Sequence, residues 1–134
     1  MNMIRYFIPG MPVTKKNSMQ MAFNPKTKKW FPVPSKAYKR FEKEAKEALQ
    51  TTAPPIDSKV NVQCCYYLPL NKDGSEPKKQ PDLANLIEAT DDILVKYKIL
   101  ADDNISIVAK HDGSFAQYVG ANEEIGTYII ITDL

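Results

Sequence analysis

Residues 81–104 read PDLANLIEATDDILVKYKILADDN and decide the fold, because they join a long amphipathic helix to an acidic turn. Pro81 suits the first turn of a helix, so the helix is predicted to begin close to it. At about 100° per residue, the side chains separate into a broad, mainly apolar arc and a narrow polar stripe. The helix should therefore pack with one face and present carboxylates with the other. The arc comprises Leu83, Leu86, Ile87, Thr90, Ile93, Leu94 and Tyr97, and the stripe comprises Asn85, Glu88, Asp92 and Lys96.

The sequence before this helix predicts two strands, a hairpin and another helix. Residues 4–9 form a short apolar run ended by Pro-Gly, which is typical of an opening strand. Residues 19–23 and 28–33 flank a turn-rich tetrapeptide and predict a basic hairpin. Ser35 suits the N-cap of a helix that runs to about residue 50. Residues 60–68 then predict a buried strand.

The sequence after the acidic turn predicts a strand at residues 105–110, a loop, and a closing strand at residues 127–132. No internal repeat or linker interrupts the chain. The simplest assembly is one domain over residues 1–134, of the α+β class, with two main helices and a small mixed sheet of four to five strands.

Composition excludes several classes of protein. With 134 residues, 43% of them apolar, the chain can bury one core. No apolar run reaches the ~20 residues that a membrane helix needs, and the first ten residues lack a signal peptide's pattern, so we expect a cytoplasmic protein. Cys64 and Cys65 are adjacent and should be free strand residues, since a disulfide between them would be strained and one histidine is too few for zinc.

The net charge of +2 conceals a strong division along the chain. Residues 14–50 carry ten lysines and arginines against three glutamates, whereas residues 81–134 carry three lysines against ten acidic residues. This division suits a protein that holds a polyanion on one surface and a divalent cation on another. The alternative is that both surfaces are solvated and pair with each other.

Carboxylates at both ends of the helix are the best candidates for chemistry. Mg²⁺ takes oxygen ligands, commonly one or two carboxylates with water and phosphate. Asp82 and Asp103 meet only if the chain folds back after the helix; a cation between them would then offset their repulsion and activate water. The alternative is that the aspartates at 91–92 and 102–103 are helix-surface and turn residues.

Other catalytic schemes have less support. His111 precedes Asp-Gly in a predicted turn and is expected to be a surface residue, with no nucleophile motif nearby. The sequence contains neither of the glycine-rich patterns that cradle nucleotide phosphates.

Four segments, in this order, resemble a known family. Residues 9–17 read PGMPVTKKN, residues 81–86 read PDLANL, residues 101–105 read ADDNI, and residues 123–131 read EEIGTYIII. They resemble the opening strand with its basic loop, the Asp-Leu-Asp-Asn-Leu helix start, the Asp-Asp turn and the closing strand of the RusA-like Holliday junction resolvases of bacteriophages and prophages. The 20 to 21 residues between the first aspartate and the Asp-Asp pair are the most specific feature.

The resemblance implies a homodimeric endonuclease that depends on Mg²⁺, or Mn²⁺, and cleaves four-way or other branched DNA. It implies that Asp82 and Asp103 are catalytic carboxylates that bind the metal, with Asp102 as a neighbouring ligand. Asn85 would support the site or the DNA. The residues expected to contact DNA phosphates are Lys15, Lys16, Asn17, Lys78 and Lys79.

Two positions depart from the family pattern. Ala84 replaces its second aspartate, and Glu88 replaces a lysine. Glu88 could supply the missing catalytic carboxylate from the next helical turn, or it could be a solvated residue paired with Lys96 or another nearby basic residue. Two rival functions therefore stay open: a branched nucleic-acid-binding module without nuclease activity, and a small interaction protein whose charges aid solubility.

Overall fold

The computed structural model describes residues 3–14 and 19–134 and has two helices, a mixed five-stranded sheet and a separate two-stranded sheet. The predicted α+β class is confirmed. In chain order the elements are β1 (Met3–Pro9), β2 (Met19–Asn24), β3 (Lys29–Pro34), α1 (Lys36–Ala48), β4 (Val60–Pro69), α2 (Leu83–Lys96), β5 (Val108–Lys110), β6 (Phe115–Val119) and β7 (Gly126–Asp133).

Strand β4 organises the larger sheet. It pairs antiparallel with β7, which in turn pairs antiparallel with β1, and its other edge pairs in parallel with β5 and β6. Alternate residues of β4 point to one face, where they join apolar side chains of both helices in a single core. The β4 members of this core are Val60, Val62, Cys64, Tyr66 and Leu68, each at most 1% exposed.

Side-chain caps define where both helices begin. The Ser35 hydroxyl accepts a hydrogen bond from the backbone N–H of Tyr38 at 3.1 Å, as its predicted capping role requires. Asp82 caps α2, and its Oδ1 accepts from the N–H of Ala84 at 2.8 Å. Helix α2 therefore begins at Leu83, two residues after Pro81.

The apolar arc of α2 is shifted slightly from its predicted position. Leu86, Ile93 and Leu94 are buried as expected, but Leu83 is 38% exposed and Asp91 is buried at the edge of the arc. Leu83 lies at the first helical position, beyond the edge of the core, so its predicted burial is wrong.

Two predictions for the last third of the chain are also wrong. The strand expected from residue 105 begins only at Val108, because Asn104 forms a turn in which its Oδ1 accepts from the N–H of Ser106 at 2.9 Å. Ile105, expected in the strand, is 82% exposed. The expected loop after His111 contains β6, which is held by parallel pairing with Cys65–Pro69 of β4.

The described residues include no helix long and apolar enough to cross a membrane. Cys64 and Cys65 are both free and buried in β4, as predicted.

Candidate active site

The polar stripe of α2 lines a groove between the two helices. Asn85, Glu88, Asp92 and Lys96 border a cavity of about 270 Å³ together with Val13, Thr14, Tyr38 and Phe41. We call this cavity, with the four stripe residues as its α2 wall, the acidic groove. The face of α2 predicted to present carboxylates is thus part of a concave surface, where a ligand can be held from more than one side.

The groove continues to the first turn of α2. A neighbouring cavity of about 430 Å³ is lined by Lys79, Asp82 and Asn85, and it shares Val13, Thr14 and Asn85 with the acidic groove. Of the predicted site residues, Asp82, Asn85 and Glu88 therefore face one connected surface, with Lys79 at its edge. Lys78 is exposed in the same loop. The predicted contacts of Lys15, Lys16 and Asn17 lie outside the described residues, although Thr14, directly before them, lines both cavities.

Negative charge accumulates beside the second half of α2. Burial raises the pKa of Asp92, and the charges of Asp103 and then Glu88 raise it further. The charge of Asp103 also contributes to the raised pKa of Asp91. The turn after α2 thus does bring Asp103 back toward the helix, within electrostatic reach of its carboxylates.

Asp82 lies at the N-terminal end of α2, away from Asp91, Asp92 and Asp103. It precedes Asp92 by ten residues, which corresponds to roughly 15 Å along a helix axis. No contact seen in residues 3–14 and 19–134 joins Asp82 to Asp103, and within those ranges no three His, Cys, Asp or Glu side chains are grouped to hold a metal ion. A single ion shared by Asp82 and Asp103 therefore stays a prediction.

The two aspartates of the acidic turn have different surroundings. Oδ1 of Asp102 accepts from the N–H of Asp103 at 2.7 Å, and its Oδ2 accepts from the side-chain amide of Asn104 at 3.1 Å. Asp102 thereby stabilises the turn. The charge of Asp103, by contrast, raises the pKa of Asp91 and Asp92 on α2.

Lys96 does not pair with Glu88, as one interpretation of the sequence expected. Its ammonium group instead binds the carboxylate of Glu42 across the groove, on α1. This ion pair links the two walls, and it removes Lys96 as the partner of Glu88 in the solvated interpretation.

The sequence did not predict that His111 and Asp91 of α2 form a pair. His111 was expected in a surface turn, but its Nε2 lies 2.8 Å from Oδ2 of Asp91 and its Nδ1 lies 2.8 Å from the carbonyl oxygen of Val62. A carbonyl only accepts, so Nδ1 carries a proton, and a second proton lies between Nε2 and the carboxylate, held by one or the other. The one available signal was a charged residue, Asp91, at the edge of the apolar arc.

The buried position of Asp91 strongly perturbs its pKa. Only 8% of it is exposed, and its Oδ1 is buried without a hydrogen-bond partner among the described residues. Burial raises the pKa of Asp91 to about 6, although the adjacent His111 acts to lower it. The pair therefore connects β4 to the helix that carries the groove, at a cost in desolvation.

We expect Asp91→Asn to alter how stability depends on pH. Because the pKa of Asp91 is raised above its ordinary value of 3.8 to about 6, the folded state binds this proton more tightly than the unfolded state does. The stability it contributes is full below about pH 4 and is lost as the pH rises through about 6. Urea titrations give the free energy of unfolding of the wild type and of the variant. The difference, wild type minus variant, should fall by about 2 kcal/mol as the pH is raised from about 4 to about 6. A difference that is constant with pH would contradict this.

The structure combines an α+β fold with a groove that carries carboxylates and has lysines at its margin, an arrangement suited to a protein that binds a cation and a polyanion. The family model described as endodeoxyribonuclease RusA matches residues 9–130, nearly the whole chain. The chain belongs to the RusA family of endodeoxyribonucleases, hydrolases that resolve Holliday junctions. A search of curated proteins finds no significant match.

Proposed function

We propose that this chain is a homodimeric, Mg²⁺-dependent endonuclease that hydrolyses phosphodiesters at four-way and other branched DNA junctions. The observation that supports it best is that Glu88 and Asp92 line the acidic groove and that the charge of nearby Asp103, together with that of Glu88, raises the pKa of Asp92. In a chain of the RusA family, neighbouring carboxylates of this kind support the proposal that a cation and a phosphate meet at this surface.

The donor chemistry of the groove fits a hard divalent cation. Carboxylate oxygens are the protein ligands that Mg²⁺ and Mn²⁺ take, and the mutual repulsion of these side chains is relieved by positive charge. Asp82 and Asp103 would hold the metal. Glu88 would supply the carboxylate that the family has at the position of Ala84, and Asp102 would be a neighbouring ligand. Bound there, the metal would activate water and stabilise the charge that develops on the phosphodiester.

The remaining residues would position the DNA. Lys79 lines the cavity next to Asp82, so a phosphate bound there would lie beside the first turn of α2. Lys78 in the same loop, and Lys15, Lys16 and Asn17 directly after Thr14, would extend these contacts along the backbone. Phosphate contacts fix the orientation of the duplex without reading its sequence. The amide of Asn85, which faces both cavities, would donate to a phosphate or hold a carboxylate in place.

A homodimer suits the substrate. A four-way junction has two-fold symmetry, and its resolution needs two matched nicks in strands of like polarity. An assembly with two-fold symmetry supplies one groove for each nick.

The test is a Mg²⁺ titration with a labelled four-way junction. We expect nicked product only when the metal is present, a linear duplex of the same arm sequence to stay intact, and a shifted band in EDTA. A shifted band without nicked product at every Mg²⁺ and Mn²⁺ concentration would favour the binding module instead. The residue that makes this second function worth testing is Ala84, which has no ligand atom.

Salt dependence separates both nucleic-acid functions from the interaction protein. The logarithm of junction affinity should fall linearly with the logarithm of salt concentration. Lys15, Lys16, Lys78 and Lys79 should together contribute about −3 to −4 to the slope for each subunit if each displaces one counterion. Substituting Lys78 and Lys79 by glutamine should reduce this contribution by about 2. A slope near zero would contradict backbone binding by these lysines.

A further inference from the structure

Strands β2 and β3 form a hairpin with an apolar face. Within residues 3–14 and 19–134, the hairpin is a sheet of its own that pairs with no strand of the larger sheet. Residues directly opposite each other share a face, so its register places six apolar side chains together. Several of them are open to solvent, with Met21 60% and Trp30 65% exposed. The facing pairs are Met19 with Pro34, Met21 with Pro32 and Phe23 with Trp30.

The aromatic pair of this face lies at the tip of the hairpin. Phe23 and Trp30 are the pair on this face nearest the turn, with only the pair Asn24 and Lys29 beyond them. Their ring centroids are 5.3 Å apart and the ring planes are inclined at 48°. The turn is well defined: Oδ1 of Asn24 accepts from the N–H of Lys26 at 2.9 Å, and Lys28 adopts a φ of 55°. The two rings therefore form a preorganised, exposed platform.

The charge of the hairpin identifies what the platform fits. Residues 19–34 contain three lysines and no carboxylate. Lys26 and Lys28 lie in the turn between the two rings, whereas Lys29 is on the opposite face of the hairpin from Trp30. A second copy of the same face would bring like charges together, whereas a phosphate backbone is complementary. Aromatic rings flanked by cations are how proteins hold unstacked nucleotides, because every base has a face that stacks.

We propose that the hairpin tip, formed by Phe23 and Trp30 with Lys26 and Lys28 of the turn, is a base-stacking site for nucleotides at the branch point of the DNA substrate. The location at a branch point rests on the proposed function. At such a point the stacking of the duplex is interrupted, so a base face is accessible at lower cost than within a continuous helix.

Trp30 makes the proposal directly measurable, because it is the only tryptophan of the chain. In EDTA, where no cleavage is expected, the wild-type protein is titrated with a four-way junction, a linear duplex of the same sequence and single-stranded oligothymidine. We expect the junction and the single strand to quench Trp30 emission, and the linear duplex to quench it much less.

Variants provide a second measurement. Trp30→Ala should weaken junction binding about tenfold or more, whereas Trp30→Phe, which keeps a ring, should stay within about threefold. Leu134→Ala serves as a matched control, because Leu134 is a similarly exposed apolar residue, 62% exposed at the chain end; it should leave affinity unchanged. The quenching measurement uses the wild-type protein, so it tests the stacking site even if a hairpin variant fails to fold.

The outcomes distinguish this proposal from the proposed function. Junction cleavage with Trp30 emission unaffected by any DNA would overturn the stacking site and leave the endonuclease intact. Quenching by single strands without junction cleavage would support stacking while the proposed function fails. Emission that shifts to the blue with protein concentration alone would assign the face to a second copy and overturn the proposal.

Discussion

Asp103→Asn should abolish junction cleavage while leaving junction binding within about threefold of the wild type. The substitution keeps the size of the side chain but removes the charge that acts on Asp91 and Asp92. If that charge helps to hold the metal, cleavage should fall by about a thousandfold or more, since the stabilisation of the developing charge is lost with it. Single-turnover cleavage of a labelled junction, alongside a binding titration in EDTA, measures both quantities.

The same substitution at Asp82 separates catalysis from helix capping. Asp82 caps α2 through its bonds to the N–H groups of Ala84 and Asn85, and asparagine caps about as well as aspartate. Asp82→Asn should therefore retain the helix and lose cleavage, whereas a residue that only caps would leave the variant active. Asp73→Asn is the matched control, because the Asp73 carboxylate bonds locally to Ser75 in an exposed loop. Cleavage at the wild-type rate by either site variant would refute its assignment.

Of the substitutions proposed in this protein, Gly126→Ala should lower the free energy of unfolding most. Gly126 opens β7 opposite Pro9 of β1, and an added Cβ would lie 2.6 Å from the carbonyl oxygen of Ile8 and would also meet the ring of Phe7. The oxygen belongs to a strand whose register is set along its length, so the backbone cannot move aside without disturbing the pairing with β7. We expect the free energy of unfolding to fall by about 3 kcal/mol.

Gly120→Ala is the control for this change. Apart from Gly120 itself and its two neighbours, no atom of the described residues lies within 4 Å of a Cβ added there, so the same methyl group meets open space. Urea unfolding of the two variants compares them directly. Equal stability of the two would show that β1 and β7 accommodate the methyl group, contrary to the geometry.

Local sequence patterns predicted the elements that depend on near neighbours. The hairpin follows from a turn whose Asn24 side chain bonds two residues ahead, and α1 follows from a Ser35 cap that bonds three residues ahead. The polar stripe of α2 follows from helical periodicity alone, and the structure places all four of its members on the acidic groove.

Strand β6 shows where such patterns stop being informative. Its five residues carry no strong alternation, and what makes them a strand is pairing with Cys65–Pro69 some fifty residues earlier. Strand formation depends on the partner as much as on the segment, so propensity within the segment was insufficient.

The amino-acid sequence determined the helices, the hairpin, the separation of basic from acidic segments and the face on which α2 carries its carboxylates, because each depends on residues a few positions apart. Only the tertiary structure decided which charges meet. Lys96 binds Glu42 on another helix, and Asp91 binds His111 beside β4. The charge of Asp103 raises the pKa of Asp92. Electrostatic and desolvation energies depend on distance in space and on burial, and both are set by how β4 and the two helices pack.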